Sequence, residues 1–352
     1  MDPVKVGVIG CGVIGSRNLQ DAQAGEFTEV VAAADLRVER REWAAEQGVP
    51  RIYEDGRDLL DQDEEVEAVI IAFPAAARTA MALRAFARGK HALVEKPVAM
   101  NAREVETMIA ARGNLVGACF SGRYRGYESA GVATEFVASG ALGALRELHL
   151  RAFIAAGPPT GKEPPPWRES FAMNAGGILT NWSCYDLDYI LGVAGWSFRP
   201  RVALACIWPC APQFRHHVAP ESDADAHYAG FVVGDDGVAL TVERGEFAAT
   251  ASRSAWEIIG TVGALRLTML ATGEREIIHD DGSNAEEGTV TRTLWQGDDR
   301  AGGGNPQVIG AFARAVRGEG EPITTLENSL VIAQITDAIY QSALSGQAVT
   351  IA

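Results

Sequence analysis

Val4-Lys5-Val6-Gly7-Val8-Ile9-Gly10-Cys11-Gly12-Val13-Ile14-Gly15 decides the architecture of this chain. Its first half is an apolar run with Lys5 as its one polar break, the pattern of a strand buried on both faces in a parallel sheet. Its second half is G-x-G-x-x-G, and the spacing predicts a helix from Val13 to about Ala24. One glycine makes the tight turn, one lets a pyrophosphate approach the backbone, and one lets helix and strand pack closely. The helix N-terminus adds N–H groups and the positive end of its dipole. Val30 to Ala34 form a second apolar strand ending in Asp35, where a carboxylate can bind a ribose hydroxyl pair. Gly10, Gly12, Val13, Ile14, Gly15, Asp35 and Leu36 are the predicted dinucleotide contacts.

Working outward, helical stretches (Arg37–Gln47, Asp55–Leu60, Ala75–Ala87) alternate with apolar runs (Val66–Phe73, His91–Val94, Leu115–Phe120). Pro74 ends one run, and another leads straight into Glu95-Lys96-Pro97. Asn101 is the expected cap of a helix reaching Arg112. Strands and helices alternating at this spacing imply βαβ units and a doubly wound parallel sheet, an α/β fold. Ligands on such sheets sit beyond the carboxyl ends of the strands, which adds Phe73, Pro74, Glu95 and Lys96 to the cofactor crevice.

Past Tyr124 the pattern changes. A helix is expected over Ser129–Ala138, then strands at Leu145–Ile154, Val202–Trp208, Tyr228–Val233, Val238–Glu243, Trp256–Thr261, Ala264–Met269 and Thr289–Trp295. Strands this close, joined by turns such as Gly234-Asp235-Asp236-Gly237, imply an antiparallel sheet. Asn305–Arg317 and Leu326–Leu344 read as closing helices. The chain of 352 residues is expected to form a dinucleotide-binding domain over 1–122 and a substrate and oligomerisation domain over 123–352. A proline-rich stretch from Gly157 to Pro166 reads as a stiff loop near a site mouth or as a surface connector.

Composition narrows the function. With 47% apolar residues and no run of eighteen, the chain reads as a soluble globular protein with neither span nor signal peptide. Five cysteines without paired C-x-x-C spacing fit reduced thiols in a cytoplasmic protein, and no metal site is expected. The net charge is −15; residues 1–125 carry 19 acids and 16 bases, and residues 126–352 carry 27 acids and 15 bases. Nucleic acid and anionic membrane are excluded as partners on that balance. The acid excess serves solubility, or it draws a cationic substrate such as an amino sugar or aminoglycoside to the second domain. Glu163, Glu169, Asp186 and Asp188 are the acids expected near the cavity.

With the glycine motif, Asp35 and Glu95-Lys96-Pro97 in place, the chain resembles the Gfo/Idh/MocA family of nicotinamide-dependent sugar and cyclitol oxidoreductases. Gly140-Ala141-Leu142-Gly143, Gly176-Gly177 and Gly260-Thr261-Val262-Gly263 extend the likeness over nearly the whole chain. The resemblance implies a Rossmann domain followed by an α/β domain with an open, mostly antiparallel sheet, whose outer face forms a homodimer or homotetramer. It also implies that the Lys96 ammonium hydrogen-bonds the reacting oxygen and that Pro97 is often cis. A lysine at the end of a strand beside the nicotinamide stabilises negative charge developing on oxygen. A solvated structural lysine is the alternative. Asp35 favours NAD over NADP, because a carboxylate repels a 2′-phosphate, although Arg37, Arg40 and Arg41 lie close.

The departures bear on mechanism. Where the family's central helix usually carries an aspartate and, four residues on, a histidine, this chain has Asn181 and Tyr185. Asn181, Tyr185 and Asp188 fall on one helix face by their spacing. Tyrosine can take the histidine's place if a nearby ammonium such as that of Lys96 lowers its pKa from about 10; the alternative is a buried structural tyrosine and weak or absent catalysis. Asn181 is no base and would orient a substrate hydroxyl. After Phe73 the family often has Pro-Asn and a histidine; here the run is Pro74-Ala75-Ala76-Ala77-Arg78. Lys96, Tyr185 and Asn181 are thus the expected catalytic set. Arg123, Tyr124, Trp167, Arg168 and Asp188 join them as expected substrate contacts. The expected reaction is NAD-dependent oxidation of a secondary hydroxyl. The alternatives are an NAD-retaining epimerase, lyase or glycosidase working through a transient ketone, and an inactive NAD-binding regulator.

Overall fold

The strand that opens the chain, β1 (Val4–Ile9), lies at the centre of a six-stranded sheet. The computed structural model describes every residue except Met1, Glu163, Trp167, Ala271, Thr272 and Ala352. It divides into two units, Met1–Gly126 with Gly303–Leu330, and Tyr127–Gly302 with Val331–Ala352.

In the first unit β1 is followed by α1 (Val13–Ala24), β2 (Thr28–Ala34), α2 (Val38–Glu46), β3 (Arg51–Tyr53) and α3 (Gly56–Gln62). The other half contains β4 (Ala68–Ile71), α4 (Arg78–Ala87), β5 (His91–Val94), α5 (Ala102–Arg112) and β6 (Gly117–Cys119). Every pair in the sheet is parallel and the order is β3-β2-β1-β4-β5-β6. The order reverses between β1 and β4, the switch point at which a doubly wound sheet opens a crevice for ligand. The side chain of Asn101 caps α5 by accepting the Glu104 N–H at 3.0 Å, as the sequence predicts.

The second unit starts with α6 (Glu128–Ala138) and β7 (Leu145–Ala155), then the single turn α7 (Phe171–Asn174) and the long α8 (Ile178–Val193). β8 (Pro200–Trp208), β9 (His227–Gly234), β10 (Ala239–Ala248), β11 (Arg253–Gly260), β12 (Gly263–Leu267), β13 (Arg275–Asp281) and β14 (Val290–Gly297) follow, and β15 (Val349–Thr350) comes last. They form one nine-stranded sheet in the order β14-β13-β12-β11-β7-β10-β9-β8-β15. All neighbours are antiparallel except β7 and β10, so the sheet is mixed and mostly antiparallel. Leu148, Leu150, Leu240, Val242, Trp256 and Ile258 are buried in the middle of these strands.

β13 escapes the sequence reading because its first inward residue is a charge. Arg275 is buried against Asp299 in a close ion pair and stacks 4.0 Å over the Tyr127 ring, so it fills a core position that an apolar residue would normally mark.

The chain does not divide at one point near residue 122. After β14 it returns to the first unit through α9 (Asn305–Val316), whose Val308, Ile309, Phe312 and Ala313 share a core with Val4, Val6, Val8 and Leu19. Arg317 fixes that return with two 2.7 Å bonds to Glu67, and the pairing pulls the Glu67 carboxyl down to about 2. The last helix, α10 (Leu326–Ser345), completes the chain's helices. Among the described residues no helix is long and apolar enough to cross a membrane, and no cluster of His, Cys, Asp and Glu could hold a metal. All five cysteines are free thiols.

Candidate functional site

The glycine loop leaves β1 at Gly10, whose φ of +92° and contact with the Ala72 carbonyl, 2.5 Å from where a Cβ would stand, both demand glycine. A Cβ on Gly15 would stand 1.8 Å from the Gly10 carbonyl oxygen, so helix and strand touch there. Gly12 differs. A Cβ on it would meet only Arg37 Nη2 at 3.5 Å, and as the N-cap of α1 it contributes no side-chain cap. Room for an anion thus lies against the first turn of α1, where N–H groups lack helical partners. The Asp35 carboxylate is drawn in beside the loop, accepting the Cys11 N–H at 2.7 Å and the Arg37 N–H at 2.9 Å. Val13 and Leu36, the neighbours of Gly12 and Asp35 in sequence, are exposed apolar side chains. This donor set and open cradle fit a dinucleotide, with Gly10–Gly15 for the pyrophosphate and Asp35 for the ribose. Burial, with Asp35 adding to it, pushes the Cys11 thiol up to about 12, so it is inert there.

Lys96 stands just past the carboxyl end of β5, and its peptide bond to Pro97 is cis. The preceding Glu95 is buried and accepts from Asn18 Nδ2 at 3.0 Å and from the Lys96 N–H at 3.1 Å. Asn18 in turn accepts from Asn305 Nδ2 at 2.8 Å, so α9 reaches the Lys96 loop through two buried amides. Arg78 donates to the Phe73 carbonyl at 2.6 Å, to the Glu95 carbonyl at 3.0 Å and to the Pro97 carbonyl.

In the second unit every residue of α8 but Trp182 is buried, including Asn181, Tyr185, Asp186 and Asp188. Asp225 caps the helix from 46 or more positions away. Its carboxylate accepts the N–H groups of Gly177 at 3.0 Å and Leu179 at 2.9 Å, and its carbonyl accepts that of Ile178 at 2.9 Å. The Tyr340 hydroxyl donates to the same carboxylate at 2.7 Å. Cβ atoms on Gly176 and Gly177 would stand 2.0 Å from the Tyr340 oxygen and 1.8 Å from the Asp225 carbonyl, which explains the glycine pair. One turn along, the buried Arg244 donates to Asp186 at 2.7 Å and lies 4.7 Å over the Trp182 ring. Trp182 meets the Tyr185 ring edge to face at 5.4 Å.

The predicted residues therefore fall in two groups. Gly10, Gly12, Val13, Ile14, Gly15, Asp35, Leu36, Phe73, Pro74, Glu95, Lys96, Arg123 and Tyr124 belong to the first unit, and Arg168, Asn181, Tyr185 and Asp188 to the second. Arg123 donates to the Tyr124 hydroxyl at 2.9 Å and stacks on its ring. Arg168 pairs with Glu246 at 2.9 Å and Glu169 at 3.3 Å. It lines a cavity of about 500 Å³ with Gly157, Pro158 and Pro159, so the proline-rich loop does border a concave surface. Trp167 and Glu163 lie outside the described residues. Asp186, expected among the cavity's acids, is instead spent on Arg244. Sequence reasoning missed Asp225, Arg244, Asn18 and Asn305; the Gly176-Gly177 pair was the one local sign that something approaches α8.

A doubly wound parallel sheet with a glycine loop after β1, an acid after β2 and a lysine after β5 defines the dinucleotide-binding class of Rossmann proteins. The sequence model for an oxidoreductase family with an NAD-binding Rossmann fold, GFO_IDH_MocA, matches residues 4–116, and the GFO/IDH/MocA C-terminal domain model matches residues 132–266. This chain belongs to the Gfo/Idh/MocA family. Myo-inositol 2-dehydrogenase of Thermotoga maritima is 26% identical over 54% of this chain and 55% of its own length. The chain thus spans about half the length of the inositol dehydrogenases it matches first. The dTDP-3,4-didehydro-2,6-dideoxy-alpha-D-glucose 3-reductase of Streptomyces violaceoruber is 26% identical over 90% of this chain and 86% of its own. Among solved structures, levoglucosan dehydrogenase with NADH and L-sorbose superposes with a TM-score of 0.83 at 22% identity over 99% of each chain.

Proposed function

We propose that the chain is an NAD-dependent dehydrogenase that oxidises a secondary hydroxyl of a sugar or cyclitol ring to a ketone. The observation that carries this reading is the tethered main chain at Lys96, which roots a lysine just past the carboxyl end of β5. Relatives named for inositol, a dTDP-sugar and levoglucosan support a polyhydroxylated ring as substrate.

NAD, when bound, supplies the hydride acceptor, held by Gly10–Gly15 and Asp35. Lys96 hydrogen-bonds the reacting oxygen and offsets the charge that develops on it. Tyr185 acts as a phenolate, favoured by the Lys96 ammonium, and takes the hydroxyl proton to become the neutral phenol as the carbon loses its hydride; Asn181 orients the hydroxyl through its amide. Arg123, Tyr124, Arg168 and Asp188 complete the substrate contacts. An aminoglycoside is the charged variant of the same substrate class, supported by the 27 acids against 15 bases of residues 126–352. The free thiols suit a cytoplasmic protein. Exposed Leu204, Trp208 and Phe231 on β8 and β9, with Leu204 opposite Phe231, suit a second copy of the chain, giving a homodimer or homotetramer.

The test is NADH formation at 340 nm with myo-inositol, levoglucosan and an aminoglycoside. Stoichiometric NADH with one of them is expected. Product without NADH release points instead to an NAD-retaining epimerase, lyase or glycosidase. NAD binding without turnover of any of them points to a regulator.

A further inference from the structure

We infer that Arg78 is the positioning residue for Lys96, an inference that rests on the reading of Lys96 given above. Arg78 is the first residue of α4 and is 5% exposed. Local physics disfavours it there, because a cation in the first helical turn faces the positive end of the helix dipole. A buried position in that turn would ordinarily suit an apolar side chain, and the residues just before it, Ala75, Ala76 and Ala77, are small and apolar.

What holds the guanidinium is a set of carbonyls from two strand exits. Nε donates to Phe73, just past β4, and Nη1 donates to both Glu95 and Pro97, just past β5. The two β5 carbonyls belong to the residues on either side of Lys96. The Lys96 N–H is tied as well, to the Glu95 carboxylate that Asn18 holds. Main chain is therefore fixed before, at and after residue 96, and the root of a long, flexible side chain is set. Lysine reaches its partner through four rotatable bonds, so a fixed root narrows the volume its ammonium samples. Only a planar fork serves this geometry, since a point ammonium cannot aim along both the Nε and Nη1 directions. Deleting the fork leaves the Phe73, Glu95 and Pro97 carbonyls without that donor and lets the 95–97 turn relax. A shift of about 1 Å in a positioned group costs on the order of 10²-fold in rate.

The experiment compares R78M, R78K and K96M in the full chain, using the polyol turned over fastest by the wild type. R78M is expected to lower kcat on the order of 10²-fold, well beyond any change in NAD affinity. R78K is expected between R78M and wild type, and millimolar methylguanidinium should restore part of the R78M rate. Without substrate or cofactor, amide hydrogen exchange at residues 94–98 should rise in R78M and fall again with methylguanidinium. Melting curves and NADH binding confirm that the variants are folded; if R78M does not fold, R78K with its exchange readout decides. Wild-type kcat and exchange in R78M beside an inactive K96M would overturn the role of Arg78 and leave Lys96 standing. An active K96M would overturn both.

Discussion

Asp225 and Leu179 are joined by a 2.9 Å hydrogen bond from the Leu179 N–H to the Asp225 carboxylate, across 46 positions of sequence. With the bond from Gly177, the carboxylate satisfies two N–H groups that α8 cannot satisfy itself. Asn181 is the second residue after Leu179 and Tyr185 one turn further, so the cap sets the rotation of the face that carries them.

Replacing Asp225 with asparagine keeps the size of the side chain but turns an amide donor toward one of these N–H groups. The Tyr340 hydroxyl can still donate to the remaining oxygen. The expected cost is roughly 1–3 kcal/mol in chemical denaturation, the scale of a lost helix cap with a buried donor left unpaired. Activity should fall through kcat rather than through NAD affinity, because Asp225 belongs to the second unit. A D225N protein as stable and as active as wild type would show that α8 is held by packing alone.

Glu169 gives a pH signature. Burial, opposed by Arg168 and reinforced by Glu246 and Asp225, pushes its carboxyl up to about 7 from an ordinary 4.5. The folded chain therefore binds this proton more tightly than the unfolded chain. Its contribution to stability is fully present below pH 4.5 and is lost as pH rises to about 7. The upper limit is roughly 3 kcal/mol, taking 1.36 kcal/mol per pH unit. Glu169→Gln removes this proton from the balance, so the difference in Tm between variant and wild type should shift in the variant's favour from pH 4.5 to pH 7. A difference that stays flat across that range excludes Glu169 as the source.

Much of this was legible in sequence because it is local. Gly10, Gly12, Gly15 and Asp35 announce themselves through spacing to the strands that carry them, and β1, β2, β4, β5 and β6 follow from apolar runs and stops, whereas the three-residue β3 is too short to leave such a run. What stayed hidden depends on partners far apart in the chain. Asp225 on α8 and Asp299 on the Ser129 N–H of α6 are both caps supplied from a distance, and neither leaves a capping box in the sequence. Arg244 and Arg275 are cations at core positions, so they blur the alternation that marks a strand. Arg78 stood in the sequence only as the end of a run that departs from the family pattern, and its three carbonyl partners lie on two other loops. The return of α9 to the first unit had no marker beyond an amphipathic pattern that either unit could have buried.

The proposed preference for NAD over NADP rests on Asp35. Its carboxylate is fixed by the Cys11 and Arg37 N–H groups, and Arg37 Nε lies 3.5 Å from it. A fixed negative charge repels a 2′-phosphate and accepts from ribose hydroxyls. Asp35→Ala should therefore reduce kcat/KM with NAD and raise it with NADP, helped by the guanidinium of Arg37. The check is the ratio of kcat/KM for the two cofactors. A wild type that already prefers NADP contradicts the assignment.

The sharpest test of chemistry is Tyr185. Its ring is buried, flanked edge to face by Trp182, and Trp182 is covered by a guanidinium that Asp186 neutralises. Tyr185→Phe deletes one hydroxyl and keeps those ring contacts, so stability should change little while kcat falls roughly 10²–10⁴-fold, the span of one general acid or base. The loss should be largest at low pH and shrink as pH rises, because hydroxide from solvent increasingly takes the proton that Tyr185 would have taken. Lys96→Met, measured beside it, should lose nearly all turnover and retain NAD binding. If the phenylalanine variant turns over at the wild-type rate across the whole pH range, Tyr185 is a packing residue, and Asp188, one helical turn further on the same face, becomes the base to replace next.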